Sequence, residues 1–81
     1  MYEYREGDKL YQKAMAEAKR EYPSYFEAAK KSNSIKDLKA FQILGKDSEC
    51  VYFVNTSSII IEIDLPLYCF DKGTGALTGK I

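Results

Sequence analysis

Leu38-Lys39-Ala40-Phe41-Gln42-Ile43-Leu44, then Gly45-Lys46-Asp47-Ser48, then Cys50-Val51-Tyr52-Phe53-Val54, is the stretch whose reading decides the fold. Two runs of aliphatic, aromatic and β-branched residues with partial alternation flank a glycine-led polar turn, which is the pattern of a β-hairpin. Spacing ahead of this hairpin is helical and spacing behind it is that of strands. It therefore marks the passage from one layer to the other.

Ahead of it, Leu10, Ala14, Met15, Ala18 and Tyr22 recur at intervals of three and four between Gly7 and Tyr22, with Lys, Glu, Gln and Arg between them. That spacing predicts an amphipathic helix with Asp8 as N-cap, ended by Pro23, whose ring disfavours helical geometry at the preceding residue. Ser24-Tyr25-Phe26-Glu27 then matches a capping box and predicts a second, short helix to about Lys31, with Tyr25, Phe26 and Ala29 facing inward. Ser32-Asn33-Ser34 is a polar turn, and Ser34-Ile35-Lys36-Asp37 has the composition of one further helical turn before the first strand.

Behind the hairpin, Asn55-Thr56-Ser57-Ser58 reads as a turn. Ile59, Ile61, Ile63 and Leu65 then alternate with Glu62 and Asp64 at the period of two that a half-buried strand requires. Pro66 has no N–H for a ladder and marks an edge, bulge or kink before Leu67-Tyr68-Cys69-Phe70. Asp71-Lys72-Gly73-Thr74-Gly75 has the chemistry of a tight turn, with Asp71 bonding forward and Gly75 free to go left-handed. Ala76-Leu77-Thr78 is the return strand. The expectation is an α+β fold: a single domain over residues 1–81, with two N-terminal helices packed on an antiparallel meander of four or five short strands.

The chain's 81 residues permit one core, because a chain of this size buries only about 60–65% of its unfolded surface. Self-association is a natural remedy for that deficit. Twelve basic side chains balance twelve acidic ones, so no global field draws the chain to nucleic acid or anionic lipid. No apolar run has the length of a signal peptide or a membrane span. With Met1 as the natural start, a cytoplasmic protein is expected. Cys50 and Cys69 are not spaced as a CxxC pair, and in the cytosol they read as two small apolar fillers, although neighbouring strands in register would let them pair.

No histidine is present, which removes the usual general base, triad member and metal ligand. No catalytic set, cofactor motif or metal site is expected. Glu62 and Asp64 share a strand face and are the carboxylate pair to consider, although such pairs are more often a solvated face. Gly73-Thr74-Gly75-Ala76-Leu77-Thr78-Gly79-Lys80 misses the phosphate-loop spacing by one residue, and Ile81 stands where Ser or Thr belongs. Lys30, Lys31, Lys36, Lys39 and Lys46 near Tyr25 and Phe26 are broken up by Glu27, Asp37 and Asp47, which disfavours a nucleic-acid surface.

Tyrosine is the unusual component, at seven residues against four phenylalanines, and its ring with a polar tip suits protein interfaces. Tyr2, Tyr4 and Tyr11 are expected to remain for a partner, with Glu62 and Asp64 as further contacts. Val51-Tyr52-Phe53-Val54 and Pro66 through Leu77, with its Asp71-Lys72-Gly73-Thr74-Gly75 turn, resemble the aromatic strand and hairpin of small bacterial immunity-type proteins, and equally the PepSY-like module. The resemblance covers the C-terminal third. It implies a small cytoplasmic protein that binds another protein and blocks it, as an immunity or phage-type inhibitor does. The alternatives are a self-assembling homodimer and, less favoured, a nucleic-acid-binding accessory protein.

Overall fold

The computed structural model describes residues 1–57 and 65–81. Helix α1 spans Lys9–Glu21 and α2 spans Pro23–Lys31, followed by a single 3₁₀ turn, Ile35–Asp37. Strands β1 (Leu38–Leu44), β2 (Ser48–Asn55), β3 (Tyr68–Asp71) and β4 (Leu77–Lys80) form an antiparallel sheet in that order. The two-helix, antiparallel-meander architecture expected from the sequence is thus present, with four strands among the described residues. The strand predicted over residues 59–65 lies outside the described residues except for Leu65, which belongs to the core.

Local chemistry explains most boundaries, and in one place corrects the sequence reading. Pro23 does not only end α1. It occupies the first position of α2, where its missing N–H costs nothing, and the N-cap is Tyr22. Ser24 therefore lies inside the helix, and the expected Ser24–Glu27 capping box does not form. At the other end, Asn33 takes a left-handed φ of 58°. Ser34 N–H donates to Ala29 O at 2.8 Å and Asn33 N–H to Lys30 O at 3.2 Å, the two bonds of a Schellman closure.

β1 and β2 pair from Leu38↔Asn55 to Leu44↔Glu49, and β2 pairs with β3 from Ser48↔Asp71 to Val51↔Tyr68. The β3–β4 turn is built as its composition requires. Asp71 Oδ1 accepts from the backbone N–H of Gly73 and of Thr74, each at 2.8 Å, and Gly75 sits at φ 75°. A register shift between Cys69 and Phe70 absorbs the extra residue as a bulge. Sequence composition gave no sign of one further element. Residues 2–4 lie antiparallel along the outer edge of β1, with Tyr4 N–H on Ala40 O at 2.8 Å and Gln42 N–H on Tyr2 O at 2.9 Å. They cover part of an edge that would otherwise be open to other chains.

The core sits between the helices and one sheet face. Ala14 and Ala18 of α1 and Ala29 of α2 meet Val51, Phe53, Tyr68 and Phe70 of the sheet. At these positions small residues on the helices face large ones on the strands, so the rings fill the space between the layers. Buried tyrosines place their hydroxyls at the rim of this core. Tyr68 donates to Glu21 Oε1 at 3.3 Å, Tyr4 donates to Glu49 Oε2 at 2.6 Å, and Tyr25 accepts from Asn55 Nδ2 at 3.3 Å.

Two outcomes follow. Asn33→Ala should lower stability by about 1 kcal/mol, because alanine tolerates the left-handed conformation poorly, whereas Asn33→Gly should be neutral or better. Urea titration of the three proteins decides it. The second concerns Asp71, whose carboxyl is held below its ordinary value by the backbone N–H donors of Thr74 and Gly73. Because folding lowers this pKa, the stabilisation is complete above the unfolded value of about 3.9 and disappears as pH falls through the folded one. Asp71→Ala should therefore lose stability at neutral pH and show a shallower decline than the parent on acidification below pH ~4, read as urea midpoints across pH.

Candidate functional site

An apolar hollow bordered by charge lies between α1, the 3₁₀ turn and the start of β1. Tyr11 and Met15 line its helical wall, Ile35 and Leu38 the opposite one, and Lys19 and Lys36 stand at its mouth, enclosing about 390 Å³. A second hollow of about 230 Å³ continues it along β1 past Arg5 and Lys39, with Glu6, Tyr11 and Leu38 common to both. Helical spacing puts Tyr11, Met15 and Lys19 in one row, since residues four apart share a face. The Schellman closure then turns the chain so that Ile35 comes up opposite them.

Tyr11 links this groove to the core. Its ring meets Phe53 edge-on at 6.3 Å between centroids, and burial, with a smaller contribution from Glu6, raises its hydroxyl pKa. The cations outnumber the acids along the groove: Lys19, Lys36, Arg5 and Lys39 face Glu6 and Glu3, with Glu3 paired to Lys39 at 3.8 Å. The groove is thus apolar at its floor and positive at its rim.

Of the side chains expected to face a partner, Tyr2 and Tyr11 are accessible in different ways and Tyr4 is not. Tyr2 is 45% exposed, with its hydroxyl donating to Asp8 Oδ2 at 2.6 Å. That bond and the Arg5 N–H hold the Asp8 carboxyl below its usual value. Tyr4 is only 6% exposed and packs in the core. The expectation that it remains free for a partner is corrected, because pairing of residues 2–4 with β1 turns its ring onto the helix side, beside Ala40. Burial, then the hydrogen bond to Glu49, raises its pKa strongly. Glu62 and Asp64 lie outside the described residues.

The lysine cluster considered for nucleic acid lacks its stacking platform. Tyr25 is buried and Phe26 packs partly against the core. Among the described residues, no three acidic or cysteine side chains are grouped as metal ligands would be, and no helix is long and apolar enough to cross a membrane.

The cysteines differ from the expectation of two unpaired fillers. Cys50 and Cys69 are directly opposed in the β2–β3 ladder and form a disulfide, with Cα atoms 4.0 Å apart. Their side chains project from the sheet face away from the helices, on the same side as Tyr52 and Val54, because alternate residues of a strand share a face. The register that opposes them was the missing information, since a separation of nineteen positions says nothing about strand order.

No protein-family model matches the chain, and no curated protein or solved structure matches it either. The functional reading therefore rests on these surfaces. Cys50→Ser combined with Cys69→Ser should cost about 2–4 kcal/mol, since opening a loop of this length restores entropy to the unfolded chain. Thermal melts of the double variant against the oxidised parent test it.

Proposed function

We propose that this chain is a non-enzymatic protein-binding module that acts by occupying and blocking a segment of another protein, in the manner of an immunity or phage-type inhibitor. The observation that carries the reading is the groove of Tyr11, Met15, Ile35 and Leu38 with Lys19 and Lys36 at its mouth. An apolar floor with a cationic rim fits a segment that presents aliphatic or aromatic anchors flanked by carboxylates. The absence of histidine from the sequence supports binding over catalysis, because acid–base chemistry would have to be carried by carboxylates and tyrosines alone.

The Cys50–Cys69 disulfide weighs against the cytoplasmic placement expected from the sequence, since cytosolic thiols are kept reduced. An oxidising compartment is the setting we carry forward for the module.

Selection of displayed random peptides on the oxidised protein should return sequences with paired apolar anchors and acidic flanks. Their affinity should fall about tenfold or more in the Lys19→Glu, Lys36→Glu double variant and weaken with added salt. Both lysines are exposed, so the fold should survive the change. Peptides that bind the double variant as well as the parent, or a selection that enriches nothing, would sink the reading.

A further inference from the structure

Ahead of α1, Tyr2-Glu3-Tyr4-Arg5-Glu6 forms a strap that sits on the sheet as a bound peptide would. Two backbone bonds hold it to the outer edge of β1, Tyr4 N–H to Ala40 O and Gln42 N–H to Tyr2 O, around the bridge Glu3↔Phe41. The rings of Tyr2 and Tyr4 meet on one side, Glu3 turns to the other, and Tyr4 takes a place in the core. That is the pattern of strand addition, in which main-chain bonds along an edge give the hold and alternate side chains enter pockets.

The strap also has the chemistry that the groove selects. Its aromatic anchor, Tyr4, is flanked by two carboxylates: Glu3, paired with Lys39, and Glu6, which lines both hollows and so stands with Lys19 and Lys36 around the larger one. Beyond Tyr4 the strap turns off the edge, with Asp8 N–H on Arg5 O. The smaller hollow opens there between strap and strand, with Arg5 and Glu6 on one side and Leu38 and Lys39 on the other. A segment extended along the groove beside β1 therefore meets Tyr4.

We infer that the strap is an internal stand-in for the partner's segment, and that an extended segment with an aromatic anchor between carboxylates binds by displacing it from β1. The inference rests on the protein-binding reading of the groove, and adds the conformation of the bound segment and the element that gates it. Two backbone bonds, an exposed ion pair of small value and one ring hold the strap. An incoming aromatic can take the place of that ring. Stretches with so few contacts open well below the free energy of global unfolding.

The test adds a synthetic copy of residues 1–7 to the oxidised full chain. Because the tethered strap has an effective concentration on the order of millimolar, the copy should act at about that concentration. Amide exchange followed by NMR should show the Tyr4 N–H exchanging about tenfold faster at saturation. The Gln42 N–H should stay protected, because the copy supplies the same acceptor. Glu3→Cys with Phe41→Cys, a directly opposed pair outside the core, staples the strap shut. The stapled chain should bind neither the copy nor the peptides selected on the parent, whereas Glu3→Ser with Phe41→Ser, which has no link, should bind both. Where the new cysteines pair wrongly, the exchange measurement on the unmodified chain decides. A Tyr4 amide unmoved by the copy overturns the inference. So does a stapled chain that binds the selected peptides as tightly as the serine variant, a result that leaves the groove reading standing without a gate.

Discussion

The close approach of alanine-lined helices to an aromatic sheet is the constraint on which the rest of this structure depends. Ala14, Ala18 and Ala29 put only methyl groups between the layers, so Phe53, Tyr68 and Phe70 of the sheet fill the interior there, with Tyr25 of α2 beside them. Rings of that size in so small a core reach its boundary. Tyrosine is then the fitting aromatic there, because its hydroxyl can emerge at the rim and bond. Tyr68 to Glu21, Tyr4 to Glu49 and Tyr25 to Asn55 each tie one layer or segment to another in this way. Glu21 also receives Lys80, and that cation is the main reason its carboxyl titrates below its ordinary value. The far edge of the sheet is thereby fastened to the end of α1.

How much of this the sequence reveals depends on the range of the interaction. Periodicities of four and of two are local, and they correctly separate the helices from the strands and locate both hairpin turns. The turn at Asp71–Gly75 is legible almost atom by atom, because an aspartate bonding forward and a left-handed glycine are properties of those residues themselves. Pro23 shows where local reading becomes ambiguous. The same ring that disfavours helix before it favours helix after it, and the structure uses both effects, so the serine that resembles an N-cap is already inside the helix.

Long-range pairings are where the sequence is silent. Tyr2-Glu3-Tyr4 is too short to show a period, and only its bonds to Ala40 and Gln42 convert it from a loose terminus into an edge segment that buries Tyr4. The disulfide depends on the β2–β3 register, which no spacing between the cysteines could supply. The candidate groove is of the same kind. Met15 was legible on the helical face and Tyr11 as an interface tyrosine, but nothing local joined them with Lys19 into one wall, and Ile35 and Lys36 reach the opposite wall only through the Schellman turn at Asn33.

The exposed apolar positions of the sheet follow from the thinness of the fold. The helices cover one face of the four-stranded sheet, and the middle of the other carries, among the described residues, Phe41, Ile43, Tyr52 and the disulfide, with Lys39 and Asp71 toward its ends. The disulfide removes two sulfur atoms from solvent contact with each other's help, leaving the cysteines 7% and 6% exposed, but it does nothing for the aromatic and aliphatic neighbours. At Gly79, opposite Cys69, no side chain rises to screen the patch. Recognition of a foreign segment falls in the proposed reading to the other side, where Lys19 and Lys36 border the groove.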